Sequence, residues 1–111
     1  MTRKEALAEL IENVEAGTFP GDATTQELFG VAPPTRLMVY AYEAFGGSLD
    51  AAKALHEAVL PGYRWEGYQG ECFRVWQPDK PEKFIEGWDC HPSRAWLLAI
   101  LRALYAQEPD T

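Results

Sequence analysis

Residues 93–107 hold fifteen positions without Gly or Pro, and residues 95–101 (Ala-Trp-Leu-Leu-Ala-Ile-Leu) are apolar without a break. Ala, Leu and Arg dominate the stretch, which predicts a helix. Pro92 suits its first position, where a missing N–H costs no hydrogen bond. A helix at the surface shows one apolar stripe, whereas this one is apolar around most of its circumference. It must be buried on more than one side, with Leu97, Ile100, Leu101 and Leu104 in the core. The rest of the chain has to supply the surfaces that bury it.

A chain of 111 residues is long enough for one real core. Fourteen aromatics, four of them Trp, argue against disorder. The formal net charge of −7 disfavours nonspecific binding to nucleic acid or to anionic membranes, which needs basic clusters. Two cysteines, Cys72 and Cys90, make no disulfide framework. The first residues run directly into an amphipathic pattern without a signal-peptide apolar run, and nothing approaches a transmembrane span. The expected location is a reducing cytoplasm.

Thr2 and Glu5 have the spacing of a capping box, and Leu7, Leu10, Ile11 and Val14 follow at helical intervals until Gly17. Glu5, Glu9 and Glu12 share the outer face of that helix, as a solvated face does. Residues 18–33 are turn-rich yet carry Phe19, Leu28, Phe29 and Val31, with one short helical turn expected at 24–29. A helix is expected over 35–45, with Leu37, Met38, Ala41 and Phe45 inward, broken by Gly46 and Gly47. Ser48 caps another over 49–60, with Leu49, Ala52, Leu55 and Val59 inward. Pro61 and Gly62 end it.

From Tyr63 the hydrophobic period changes to two. Residues 63–68, 72–77 and 83–89 read as short strands separated by turns at Gln69-Gly70 and Pro78-Asp79-Lys80-Pro81. Strands joined this tightly form an antiparallel meander. Phe73 and Val75 lie opposite Cys72, Arg74 and Trp76, while Phe84 and Trp88 lie opposite Ile85. Large apolar groups on both faces predict that both are covered. The expected fold is thus α/β (α+β), one domain over 1–111. A helical half at 1–60, a β-meander at 63–89 and a last helix at 92–107 place the sheet between helix layers.

Two runs go beyond pattern. Residues 48–65 (Ser-Leu-Asp-Ala-Ala-Lys-Ala-Leu-His-Glu-Ala-Val-Leu-Pro-Gly-Tyr-Arg-Trp) and 92–104 (Pro-Ser-Arg-Ala-Trp-Leu-Leu-Ala-Ile-Leu-Arg-Ala-Leu) resemble the phage ABA sandwich domain family, small proteins of phages and prophages. Residues 8–17 are similar to the opening of the same proteins. The resemblance implies a sheet between helix layers and a phage accessory gene product. It implies no reaction, since its motifs are packing and capping motifs. The last helix of such proteins usually starts from Thr-Pro or Ser-Pro, but here His91 precedes Pro92. Its cap is therefore weaker or comes from another residue.

Little in the sequence carries chemistry. Cys90-His91-Pro92 places a thiol beside a helix N-terminus, where a lowered pKa favours the thiolate, but no orienting acid or oxyanion donor is evident. Cys72, Cys90, His56 and His91 lack the Cys-x-x-Cys or His-x3-His spacing that chelates zinc. The pairs Glu66 with Glu71 and Glu86 with Asp89 suit exposed strand ends. No phosphate-binding Gly loop or Ser nucleophile motif occurs. No catalytic residue, metal or cofactor is therefore expected. The aromatics are more numerous than one small core needs, and beside arginines they make interface anchors. Trp65, Tyr68, Trp76, Arg64 and Arg74 are the expected binding residues. The expected function is a non-enzymatic accessory protein that binds a host or phage protein, with inhibition of a host defence complex, in the manner of anti-CRISPR proteins, as one form of it. A structural homo-oligomer and a small enzyme using Cys90 are the alternatives.

Overall fold

A computed structural model describes residues 2–20, 28–29 and 36–108. In chain order these form helices α1 (Arg3–Glu15), α2 (Arg36–Phe45) and α3 (Leu49–Val59), strands β1 (Arg64–Tyr68) and β2 (Cys72–Trp76), a 3-10 turn (Pro81–Lys83), strand β3 (Ile85–Trp88) and helix α4 (Pro92–Gln107). The sheet is antiparallel, in the order β1-β2-β3. The radius of gyration, 12.9 Å, is that of one folded unit of this length, for which about 13 Å is usual. The α+β class and the three-stranded meander are those expected from the sequence.

The helix boundaries follow local chemistry. The Glu5 N–H donates to Thr2 Oγ1 at 3.1 Å and the Thr2 N–H to Glu5 Oε1 at 3.3 Å, which completes the capping box. Gly17 closes α1 at φ +87°. The Ala51 N–H donates to Ser48 Oγ at 3.0 Å and caps α3. Leu49, placed inward by its spacing, is 45 % exposed, and Ala51 and His56 take its place beside Ala52 and Leu55. His91 is the N-cap of α4 without capping it through its side chain. Leu28 and Phe29 are helical and buried, while the rest of the turn expected at 24–29 lies outside the described residues.

α4 is the centre of the molecule. Ala95, Leu97, Leu98, Ala99, Ile100 and Leu101 are each 0 % exposed. One side of α4 packs on β2 and β3, and it also touches α1, α2 and α3. Gly87 makes the sheet contact close: a Cβ at that position would strike the Ala95 carbonyl oxygen and the Ala99 nitrogen. Across the same interface Phe73 stacks on Trp96, with ring centroids 4.9 Å apart.

The distribution of helices about the sheet differs from the sequence expectation. Phe73, Val75, Ile85 and Gly87 turn toward α4, and α4 itself separates the sheet from the helices of the first half. The opposite face leaves Tyr68, Phe84 and Trp88 exposed instead of lying under a second helix layer. The sequence pattern was ambiguous here because aromatics occupy both faces, and a large side chain does not by itself show that it is covered.

The two edges of the sheet also differ. The Asp89 N–H donates to Glu71 O in line with the β2–β3 register. Alternation along an antiparallel ladder then turns the Glu86 carbonyl to the outer edge. Arg102 Nη1 donates to that carbonyl at 2.9 Å, while its Nη2 holds Glu15 at 3.1 Å. β1, at the other edge, is exposed at every position.

His56, considered as a zinc ligand in the sequence, is instead a core residue at 2 % exposure. Trp96 Nε1–H faces His56 Nδ1 at 3.3 Å, and His56 Nε2 faces the Tyr63 carbonyl at 3.0 Å. The indole can only donate, so Nδ1 accepts and Nε2 carries the proton. Burial, the largest influence, lowers the His56 pKa against a smaller opposing pull from the Tyr63 carbonyl. The unfolded chain therefore binds a proton that the folded one resists. The stabilising effect of neutral His56 is complete above about pH 6.5 and is lost as pH falls toward the lower folded value. Denaturant midpoints measured from pH 7.5 to 5 are expected to fall more steeply for wild type than for His56→Gln. The difference in slope is at most about 1.4 kcal/mol per pH unit, one proton's worth. Parallel curves would show that His56 does not titrate with folding.

Candidate protein-binding face

The face of the sheet away from α4 is built from alternate residues of three strands. The register sets them in rows. Tyr68, Cys72 and Trp88 form one row, and Glu66, Arg74 and Glu86 the next; Arg64 pairs with Trp76 beyond. Phe84 enters the face just ahead of β3. Tyr68 is 48 % exposed, Phe84 42 % and Trp88 58 %, while Trp76 is half-buried.

Arg74 ties the rows together. Its Nε donates to Glu86 Oε2 at 3.1 Å. Its guanidinium also lies 4.6 Å from the Phe84 ring centroid and 5.2 Å from that of Tyr68. Planar stacking of this kind suits Arg better than Lys. The hydrogen bond to Glu86 is the main influence raising the Arg74 pKa, so the group stays charged. Two aromatic side chains are thereby held on either side of one cation.

Cys72 lies beneath this layer at 1 % exposure, its Sγ donating to Glu86 Oε2 at 3.4 Å. Burial first, and then Glu86, push its pKa up. A protonated, covered thiol is a poor nucleophile.

The five expected binding residues separate in the structure. Arg64, Tyr68, Arg74 and Trp76 share this face. Trp65 points to the other side, where its ring centroid lies 4.3 Å from Trp96 and 6.4 Å from Phe73. At 43 % exposure it partly covers the Trp96 cluster and presents its outer edge on the side of the sheet away from the other four. Phe84 and Trp88 belong to the face although the sequence reading did not select them. Their signal was the period-two alternation of the third strand, which puts both opposite the inward Ile85.

At the start of α4, Asp89, Cys90 and His91 come together. His91 Nδ1 lies 3.1 Å from Asp89 Oδ1 and 3.3 Å from Cys90 Sγ. Both contacts fall on one ring nitrogen. A nucleophile–base–acid relay needs them on opposite nitrogens, so the ring cannot be oriented by Asp89 while it takes the Cys90 proton. Elsewhere an open cleft of about 710 Å³ is lined by Thr18, Phe19, Tyr42, Glu43, Phe45, Ser48 and neighbouring glycines, and its Thr18 and Ser48 hydroxyls are already engaged by the Asn13 carbonyl and the Ala51 N–H.

No helix among the described residues is long and apolar enough to cross a membrane. The chain matches no protein-family model, no curated protein and no solved structure.

Proposed function

We propose that this is a non-enzymatic binding protein, a phage or prophage accessory protein that meets a host or phage protein with the open face of its sheet. The observation that carries the reading is the exposure of Tyr68, Phe84 and Trp88 around a fixed Arg74. Tyr, Trp and Arg are the residue types enriched where protein interfaces carry their energy. The face holds Arg64 and Arg74 against Glu66 and Glu86, so its charges balance within a chain of net charge −7. A charge-balanced aromatic surface suits a protein partner of mixed polarity, and it lacks the basic surplus that phosphate binding needs. The resemblance of residues 48–65 and 92–104 to phage proteins supports the origin. Inhibition of a host defence complex is one form such an activity would take.

Tyr68→Ala combined with Trp88→Ala removes two exposed rings without opening the core. The double variant is expected to keep its denaturant midpoint close to wild type. It should lose roughly 2 kcal/mol or more of binding energy, about thirtyfold in affinity. Pull-downs from phage-infected host lysate with both proteins check this. Equal recovery of the same partner would place the binding surface elsewhere. Concentration-dependent light scattering abolished by the double variant would instead favour the homo-oligomer.

A further inference from the structure

We propose that Asp89, Cys90 and His91 form a binding site for one divalent cation of the zinc class. This is independent of the sheet-face reading. The three side chains each offer one donor atom, and the three atoms lie within 4.8 Å of one another. The Asp89 Oδ1 to His91 Nδ1 separation is 3.1 Å and the Cys90 Sγ to Nδ1 separation 3.3 Å. In a tetrahedral zinc shell, with bonds of about 2.0–2.1 Å to N and O and 2.3 Å to S, such donors sit roughly 3.3–3.6 Å apart. The two pairs that include His91 Nδ1 are within a few tenths of an ångström of that spacing, and the third, between Asp89 and Cys90, lies within 4.8 Å, so a small side-chain rotation closes the shell.

Asp89 is already positioned, because its Oδ1 also accepts the His91 N–H at 2.9 Å and its side chain is only 14 % exposed. Carboxylate and thiolate together bring two negative charges, which offset the positive end of α4. Sulfur and imidazole donors select zinc, cobalt and their neighbours over magnesium or calcium. The fourth position faces outward, since Cys90 and His91 are exposed, and a water completes the shell. The sequence reading discounted metal because no Cys-x-x-Cys or His-x3-His pair occurs. Three consecutive ligands converge here because the chain turns sharply out of β3 into α4.

Binding requires the thiolate, so each cation bound displaces the Cys90 thiol proton. Co²⁺ is the probe, titrated into reduced protein in a non-coordinating buffer at pH 7.5. A thiolate-to-cobalt charge-transfer band in the near ultraviolet is expected, saturating at one equivalent and discharged by Zn²⁺. Cys90→Ser should remove the band. His91→Ala and Asp89→Asn should weaken binding by about tenfold or more. Asp89→Asn retains an oxygen for the His91 N–H, so the turn persists. Cys72→Ala, which alters the buried thiol, should leave the band intact. Zn²⁺ should also shift the ¹⁵N resonance of His91 Nδ1 rather than Nε2. No saturable band, a band that survives Cys90→Ser, or a band lost with Cys72→Ala would each overturn the proposal.

Discussion

Gly87→Ala is expected to destabilise the protein by about 3–5 kcal/mol, the upper range for a single substitution. The new Cβ would meet the Ala95 carbonyl oxygen, the Ala99 nitrogen and, at 3.0 Å, the Leu98 carbonyl carbon. All three are helix backbone, so no rotamer change relieves the clash. Either β3 moves away from α4 or the helix distorts, and both loosen the main contact between sheet and helix. A domain of this size has roughly 5–15 kcal/mol of stability in total. Gly67→Ala is the matched comparison. There the nearest atoms, 3.0–3.1 Å away, belong to the Phe73 ring, a side chain able to shift. Urea unfolding of the two variants should separate them clearly. Similar midpoints would mean that α4 and β3 are not packed backbone to backbone.

The second large effect is expected at the middle of α4. Ile100 and Leu101 are both 0 % exposed. Truncating either to Ala removes buried methyl groups and leaves a cavity that its surroundings fill only in part. The cost is about 2–5 kcal/mol. At roughly 4–8 °C per kcal/mol for a small domain, thermal midpoints should fall by about 10 °C or more. Leu49→Ala removes the same groups as Leu101→Ala from a side chain that is 45 % exposed, and should cost less than half as much. Calorimetry on the three variants checks the order. Equal losses would mean that burial along α4 does not set the energetics.

What could be read from the sequence was what is written in short-range spacing. The capping box, the Gly17 stop, the Ser48 cap, the meander and the central helix all follow from residues within a turn of one another. Relations between distant segments were harder to see. Leu49 fits an inward stripe by spacing, yet Ala51 and His56 are the neighbours that α4 accommodates. Trp65 and Tyr68 look alike in sequence, and only the location of α4 sets one ring against Trp96 and leaves the other on the open face. A glycine within a strand often marks close backbone approach, and Gly87 carried that signal unused. The core role of His56 was not legible because its two partners, the Trp96 indole and the Tyr63 carbonyl, come from other segments. The convergence at Asp89, Cys90 and His91 depends on the path of one turn, which residue spacing does not encode.

The unequal edges of the sheet bear on how the protein behaves when crowded. An unprotected strand edge is a template for growth, and chains with two such edges can polymerise into fibres. Here Arg102 occupies an acceptor in the middle of the four-residue β3, and Glu15 holds Arg102 there. β1, exposed at every position, is the less protected edge. Two copies joined through β1 would each carry on the outer flank a β3 whose Glu86 carbonyl is already taken, which disfavours further strand addition there. The asymmetry is expected to disfavour strand addition at one edge, through one arginine of the central helix.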